Sequence, residues 1–143
     1  MLIKRIFDFL TALLGLFFLS PLFLAIALWI KLDSPGPVFF RQKRVGQHGA
    51  LFHICKFRTM TTNTEVQGQI TVGRDHRITN AGHLLRHYKL DELPQLLNVL
   101  IGEMSLVGPR PEVPKYVALY TEKQKKAVLS IKPGITDWAS IAY

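Results

Sequence analysis

The stretch RHYKLDELPQLLNVLIGEMSLVGPRP, residues 86–111, decides how the rest of the chain is read. Asp91 and Glu92 stand together where a helix should begin. Behind them Leu93, Leu96, Leu97, Leu100 and Ile101 recur at helical spacing and give that helix one apolar face. Asp91 suits the N-cap position, and Pro94 falls in the first turn, where its missing N–H costs little. Arg86 and Lys89 flank the acidic pair, and the chain turns back through Gly108-Pro109-Arg110-Pro111. Such a set can hold a metal ion, a nucleophile and a phosphate. An acidic pair is also an ordinary way to start a helix, since the dipole favours anions there by about 0.3–1 kcal/mol. On spacing alone the capping role comes first, and context has to overturn it.

Outward from this stretch, the composition narrows the partners. The chain has 143 residues and a formal net charge of +8, enough for one modest core and suited to an anionic partner. Its single cysteine, Cys55, excludes an intrachain disulfide framework and fits a reducing compartment. The closing ITDWASIAY carries no stop signal and reads as a chain cut short.

Residues 9–30 carry no charge, about the length that crosses a bilayer. A cleaved signal peptide, with Ala25-Ile26-Ala27 as the cleavage site, fits poorly because the apolar run is long and nothing downstream looks secreted. Two readings stay open. One is a helix that spans. The other is a helix that enters, bends at Ser20-Pro21 and leaves on the same side. Pro21 removes a backbone donor in mid-segment, and Ser20 can serve a freed backbone group. Lys4 and Arg5 precede the run, while Lys31, Arg41, Lys43 and Arg44 follow it, so the positive-inside tendency favours both ends on one face.

Asp33-Ser34-Pro35-Gly36-Pro37 ends this segment, and residues 38–60 read as a β-hairpin turning at Gly46-Gln47-His48-Gly49. Its cations Arg41, Lys43, Arg44, Lys56 and Arg58 form a candidate basic apron, each worth about 1 kcal/mol against acidic head groups. Residues 61–77 are polar and read as a loop. The pattern predicts a helix over 78–90, capped by Thr79 or Asn80. His83 and His87 are spaced four apart, but Leu84 stands where HExxH chemistry needs a glutamate, so they read as surface residues and not as a zinc site. The prolines around Arg110 make a stiff loop that aims a guanidinium for bidentate phosphate or carboxylate binding; a rigid corner with Arg110 paired to a glutamate fits equally. Residues 114–129 read as one amphipathic helix, 132–134 as a turn, and Trp138 and Tyr143 as candidates for a membrane–water interface.

The succession of Ser20-Pro21 in an apolar N-terminal segment, KFRTM at 56–60, LDELPQLLNVL at 90–100, GEMSLVGPRPE at 102–112 and KPGIT-W at 132–138 resembles the bacterial sugar transferases. These are small monotopic phosphoglycosyl transferases. The resemblance covers nearly the whole chain. It implies an α+β, mainly helical fold: a re-entrant membrane helix broken at Ser20 and Pro21 (residues 1–32), then a small cytoplasmic catalytic domain (residues 33–143) with a β-hairpin and amphipathic helices. It implies transfer of a sugar-1-phosphate from a UDP-sugar to polyprenol phosphate at the cytoplasmic face of the bacterial inner membrane, at the start of glycan assembly such as exopolysaccharide or lipopolysaccharide. Asp91 matches the nucleophile and Glu92 its partner, with Mg²⁺ held by both. Lys56, Arg58, Arg86, Arg110 and Pro111 fall in motifs assigned to substrate binding. The partners implied are the donor, the acceptor and membrane lipid, with no nucleic acid; a homodimer is left open. Asp137 stands where the family has glycine, and members continue beyond this point, so the chain reads as C-terminally shortened.

In the expected reaction the helix N-terminus keeps Asp91 ionised for attack on phosphorus. Rival classes are a non-catalytic, membrane-anchored basic module binding anionic lipid, and a Mg²⁺-dependent nucleotide-sugar hydrolase.

Overall fold

The computed structural model describes residues 2–62 and 75–137. Helix α1 (Leu2–Asp33) leads to a hairpin of β1 (Phe39–Val45) and β2 (Leu51–Phe57). Then follow α2 (Asn80–His87), a 3-10 turn at Leu90–Glu92, α3 (Gln95–Ile101), β3 (Ser105–Val107), α4 (Pro114–Val117), α5 (Glu122–Val128) and β4 (Gly134–Thr136). This is a mixed, mainly helical architecture. The bulk of the loop expected at 61–77, and Trp138 and Tyr143, lie outside the described residues. The described ends of that loop are joined by an antiparallel bridge between Met60 and Ile78.

Helix α1 runs without interruption through Ser20 and Pro21. The proline sits inside this one helical element, where a nearby hydroxyl and local adjustment can accommodate the missing donor and a bend. Leu2, Ile3, Phe7, Phe17, Phe18, Leu24, Leu28 and Leu32 all lie exposed along it. Bare apolar surface on this scale marks a face that contacts a membrane or another protein.

Internal contacts divide the chain into two compact units. The first comprises Met1–Phe18, Arg41–Cys55 and Pro94–Tyr143. Its core is Ala12, Phe52, Ile54, Val99 and Met104, with Leu96, Leu100, Leu106 and Ile135 packed around it. Strands β3 and β4 pair in parallel, Ser105 opposite Gly134 and Val107 opposite Thr136, so the expected turn at 132–134 delivers the chain straight into a strand. Asn98, 3% exposed, staples α3 to the hairpin: Cys55 N–H donates to its Oδ1 at 3.0 Å, and its Nδ2 donates to His53 O at 2.8 Å and Glu103 Oε2 at 2.7 Å.

The start of α1 is bonded into this same unit. Arg5 donates to Val99 O at 2.5 Å and Leu100 O at 2.9 Å, placing its charge on the last carbonyls of α3. Asp8 is buried and accepts from Ser105 Oγ at 2.8 Å and Leu106 N–H at 3.3 Å. The single helix expected over 114–129 is instead two, because Thr121 and Gln124 form a capping box that starts α5 afresh.

The second unit comprises Leu19–Phe40 and Lys56–Leu93. Ile26, Ile30, Phe57 and Leu85 form its core, with Phe39 stacked on Phe57 at 5.5 Å between ring centroids. Thr79 caps α2 by accepting from Gly82 N–H at 3.0 Å. Gly82 packs so closely on the Thr59 backbone that no Cβ fits there. Helix α2 stops at His87, three residues short of the expectation, and Lys89 then takes a left-handed conformation with φ 54°.

Candidate active site

The left-handed turn at Lys89 throws the chain into the 3-10 turn that carries Asp91 and Glu92. Neither carboxylate caps a helix. Pro94, fixed in a helical conformation, occupies the N-cap position of α3, so the expectation that Asp91 is an N-cap is corrected.

The second unit brings Lys56, Arg86, Asp91 and Glu92 together. Lys56 Nζ lies 2.6 Å from Glu92 Oε1, and both side chains are about four-fifths buried, with 17% and 20% exposed. Arg86 Nε donates to the hydroxyl of buried Thr59 at 2.9 Å, and the Thr59 carbonyl accepts from Thr79 N–H at 3.0 Å. Thr59 thus holds Arg86 to the end of β2. Reading residue by residue missed it, because a lone threonine carries no signal until its partner is known.

Asp91 is half-buried, and no side chain donates a hydrogen bond to its carboxylate among the described residues. Burial pushes its acid dissociation up; Lys56 and Arg86 pull it down, and Glu92 opposes them. The expectation that a helix N-terminus keeps Asp91 ionised is therefore replaced. Burial dominates, and ionising this carboxylate carries a desolvation cost that the two neighbouring cations offset in part.

Arg58 belongs to the same unit. It is 5% exposed and donates to the carbonyls of Ser34 at 2.7 Å, Ile30 at 3.3 Å and Pro35, at and just beyond the end of α1. These bonds place its charge at the negative end of the helix and give it a structural role there. Asp33, at the same helix end, accepts from Ala81 N–H at 2.9 Å.

Arg110 and Pro111 lie in the first unit. Arg110 is exposed on a loop that Gly134 N–H secures through Pro109 O at 2.9 Å; buried Pro111 accepts from Arg44 Nη1 at 2.9 Å. Arg44 is thereby taken out of the basic apron, leaving Arg41 and Lys43 as the exposed cations of β1. His83 and His87 are exposed on α2, as expected. No group of three or more histidine, cysteine, aspartate or glutamate side chains converges among the described residues. Two adjacent carboxylates nevertheless suit Mg²⁺, which uses one or two carboxylates and takes its remaining ligands from phosphate and water.

A half-buried acid beside one paired to lysine, with Arg86 close by, is an arrangement chemically suited to an anionic ligand. The chain belongs to the bacterial sugar transferase family, whose model matches residues 1–143. It is 46% identical over 141 residues to the uncharacterized sugar transferase EpsL of Bacillus subtilis (strain 168), covering 99% of this chain and 69% of that protein. It is 44% identical over 144 residues to the UDP-N-acetylgalactosamine-undecaprenyl-phosphate N-acetylgalactosaminephosphotransferase of Aeromonas hydrophila, covering 99% of this chain and 34% of that one. Against the UDP-glucose:undecaprenyl-phosphate glucose-1-phosphate transferase of Escherichia coli (strain K12) the identity is 46% over 144 residues, 98% of this chain and 31% of that one. The chain thus spans about a third of the latter two relatives.

Proposed function

We propose that the protein transfers a sugar-1-phosphate from a UDP-sugar to polyprenol phosphate through an aspartyl-phosphosugar intermediate. The observation that carries this reading is the division of labour in the acidic pair: Lys56 engages Glu92, while Asp91 stands beside it with no bonded side chain. An Asp91 oxygen bonds to the sugar-proximal phosphorus as the bond from that phosphorus to the bridging oxygen breaks. UMP leaves with the bridging oxygen. A phosphate oxygen of the lipid acceptor then bonds to the same phosphorus, the bond to Asp91 breaks, and the carboxylate is restored.

Partial burial lowers the cost of bringing a carboxylate up to an anionic phosphate, because less hydration has to be stripped away. Glu92 orients the site through Lys56, and Arg86, held by Thr59, offers its remaining N–H groups to phosphate oxygens. Asp91 and Glu92 would hold Mg²⁺, which when bound neutralises charge on the pyrophosphate. Arg110 is assigned to phosphate binding as well.

Membrane placement follows from α1. Among the described residues it is the one helix long and apolar enough to cross a bilayer. Lys4 and Arg5 before its apolar run and Lys31, Arg41 and Lys43 after it favour both ends on one face, the cytoplasmic one, with the helix bending at Ser20-Pro21. The function is tested by measuring UMP release from a panel of UDP-sugars, with and without polyprenol phosphate and Mg²⁺. Release accompanied by lipid-linked product supports transfer. Free sugar phosphate as the end product would make the protein a hydrolase and overturn it.

A further inference from the structure

Three cations gather at the start of α1 in the first unit. Lys4 is occupied: it bonds to Asp8 at 3.3 Å, to the Ser105 hydroxyl and to Val107 O. Arg5 spends one face of its guanidinium on the α3 carbonyls. Lys132 has no carboxylate or carbonyl bonded to it among the described residues.

Gly102 reveals how close the last two are. It ends α3 at φ 96°, and a Cβ placed on it would meet Arg5 Nη2 at 2.9 Å and Lys132 Nζ at 3.7 Å. Two cationic nitrogens thus converge over a bare glycine. Burial and the Arg5 charge, with Lys4 behind it, push the Lys132 ammonium below its usual range. Asp8, the nearest opposing charge, is already committed to Lys4, Ser105 and Leu106.

The surroundings say which anion belongs there. Ile3 and Ile6, 84% and 51% exposed, adjoin Lys4 and Arg5, and Ile131, 46% exposed, adjoins Lys132. Cations at the foot of an apolar helix stand where lipid phosphates lie.

We propose that Arg5 and Lys132, converging over Gly102, form a binding site for the phosphodiester head group of an anionic bilayer phospholipid, separate from the acceptor lipid. The bound phosphate supplies the counter-ion that the fold leaves out, and it secures the start of α1 at head-group depth. The inference rests on the membrane placement proposed above.

The test uses the full chain in maltoside micelles, which contain no phosphate. Phosphatidylglycerol is added, and acylation of the Lys132 amine is followed by peptide mass spectrometry, with exposed Lys123 as internal reference. Phosphatidylglycerol should slow Lys132 labelling about fivefold and leave Lys123 unchanged, and Lys132→Gln should weaken lipid retention in native mass spectrometry by a similar factor. Equal labelling with and without phosphatidylglycerol would overturn the site. So would equal protection by inorganic phosphate, or stronger protection by polyprenol phosphate. Vesicle flotation separates the two levels. Wild-type protein that fails to float removes the membrane placement and this site together, whereas protein that floats with Lys132 unprotected removes the site alone.

Discussion

Lys56 Nζ lies 2.6 Å from Glu92 Oε1 and makes no hydrogen bond to Asp91, although Asp91 is the adjacent residue. A lysine placed to stabilise the fold alone would do best between the two carboxylates. Here one acid is paired with lysine and its neighbour is left half-buried without a side-chain donor, an arrangement that fits a site where stability is traded for reactivity.

That trade has a measurable sign. Burial raises the Asp91 pKa in the folded protein above its value in the unfolded chain. The unfolded state therefore releases this proton first as pH rises, and stability falls from the unfolded pKa until pH exceeds the folded one. In the presence of a chelator, Asp91→Asn should melt higher than wild type at pH 7, with the gap closing towards pH 4. Lys56→Gln should melt lower, because it leaves Glu92 and Asp91 facing one another. A wild type that gains on Asp91→Asn as pH rises would show that Asp91 is stabilised when charged.

Arg58 is expected to behave as part of the frame. Arg58→Gln withdraws charge-assisted bonds from the carbonyls that close α1, each worth about 1.5–3 kcal/mol where fully buried. Melting should drop accordingly, with Arg58→Lys recovering part of the loss, while the KM for the nucleotide sugar in the surviving folded fraction stays within about twofold of wild type. A large rise in KM with unchanged melting would return Arg58 to the substrate.

Asn98→Leu keeps the volume and removes all three side-chain bonds, orphaning Cys55 N–H and His53 C=O; the expected loss is about 2–3 kcal/mol by denaturant unfolding. Asn98→Asp should cost at least as much at neutral pH, since its carboxylate would face Glu103, and should recover as the pH is lowered. An Asn98→Asp variant as stable as wild type at pH 7 would contradict the staple.

These residues mark the limit of what was legible in the chain. The acidic pair, Lys56 and Arg86 stood out because they lie in short motifs whose residue types speak for themselves, and the hairpin and α2 followed from local pattern. Arg58 bonds to carbonyls 23 to 28 positions away, Asn98 reaches 43 residues back to Cys55, and Asp8 meets Ser105 across 97. A charged or amide side chain in a motif looks the same whether it faces substrate or a helix end, and only tertiary packing separates the two. The start of α5 is a different case: Thr121 and Gln124 signal a capping box, but the lysine-rich pattern across 114–129 looks continuous.

Intact-protein mass spectrometry after incubation with UDP-sugar alone, without acceptor, reads the central step directly. Wild type should gain the mass of one sugar phosphate with release of UMP, the added mass should map to the peptide containing Asp91, and Asp91→Asn should show neither. An adduct that persists in Asp91→Asn, or lipid-linked product from that variant, would contradict the covalent role of this carboxylate.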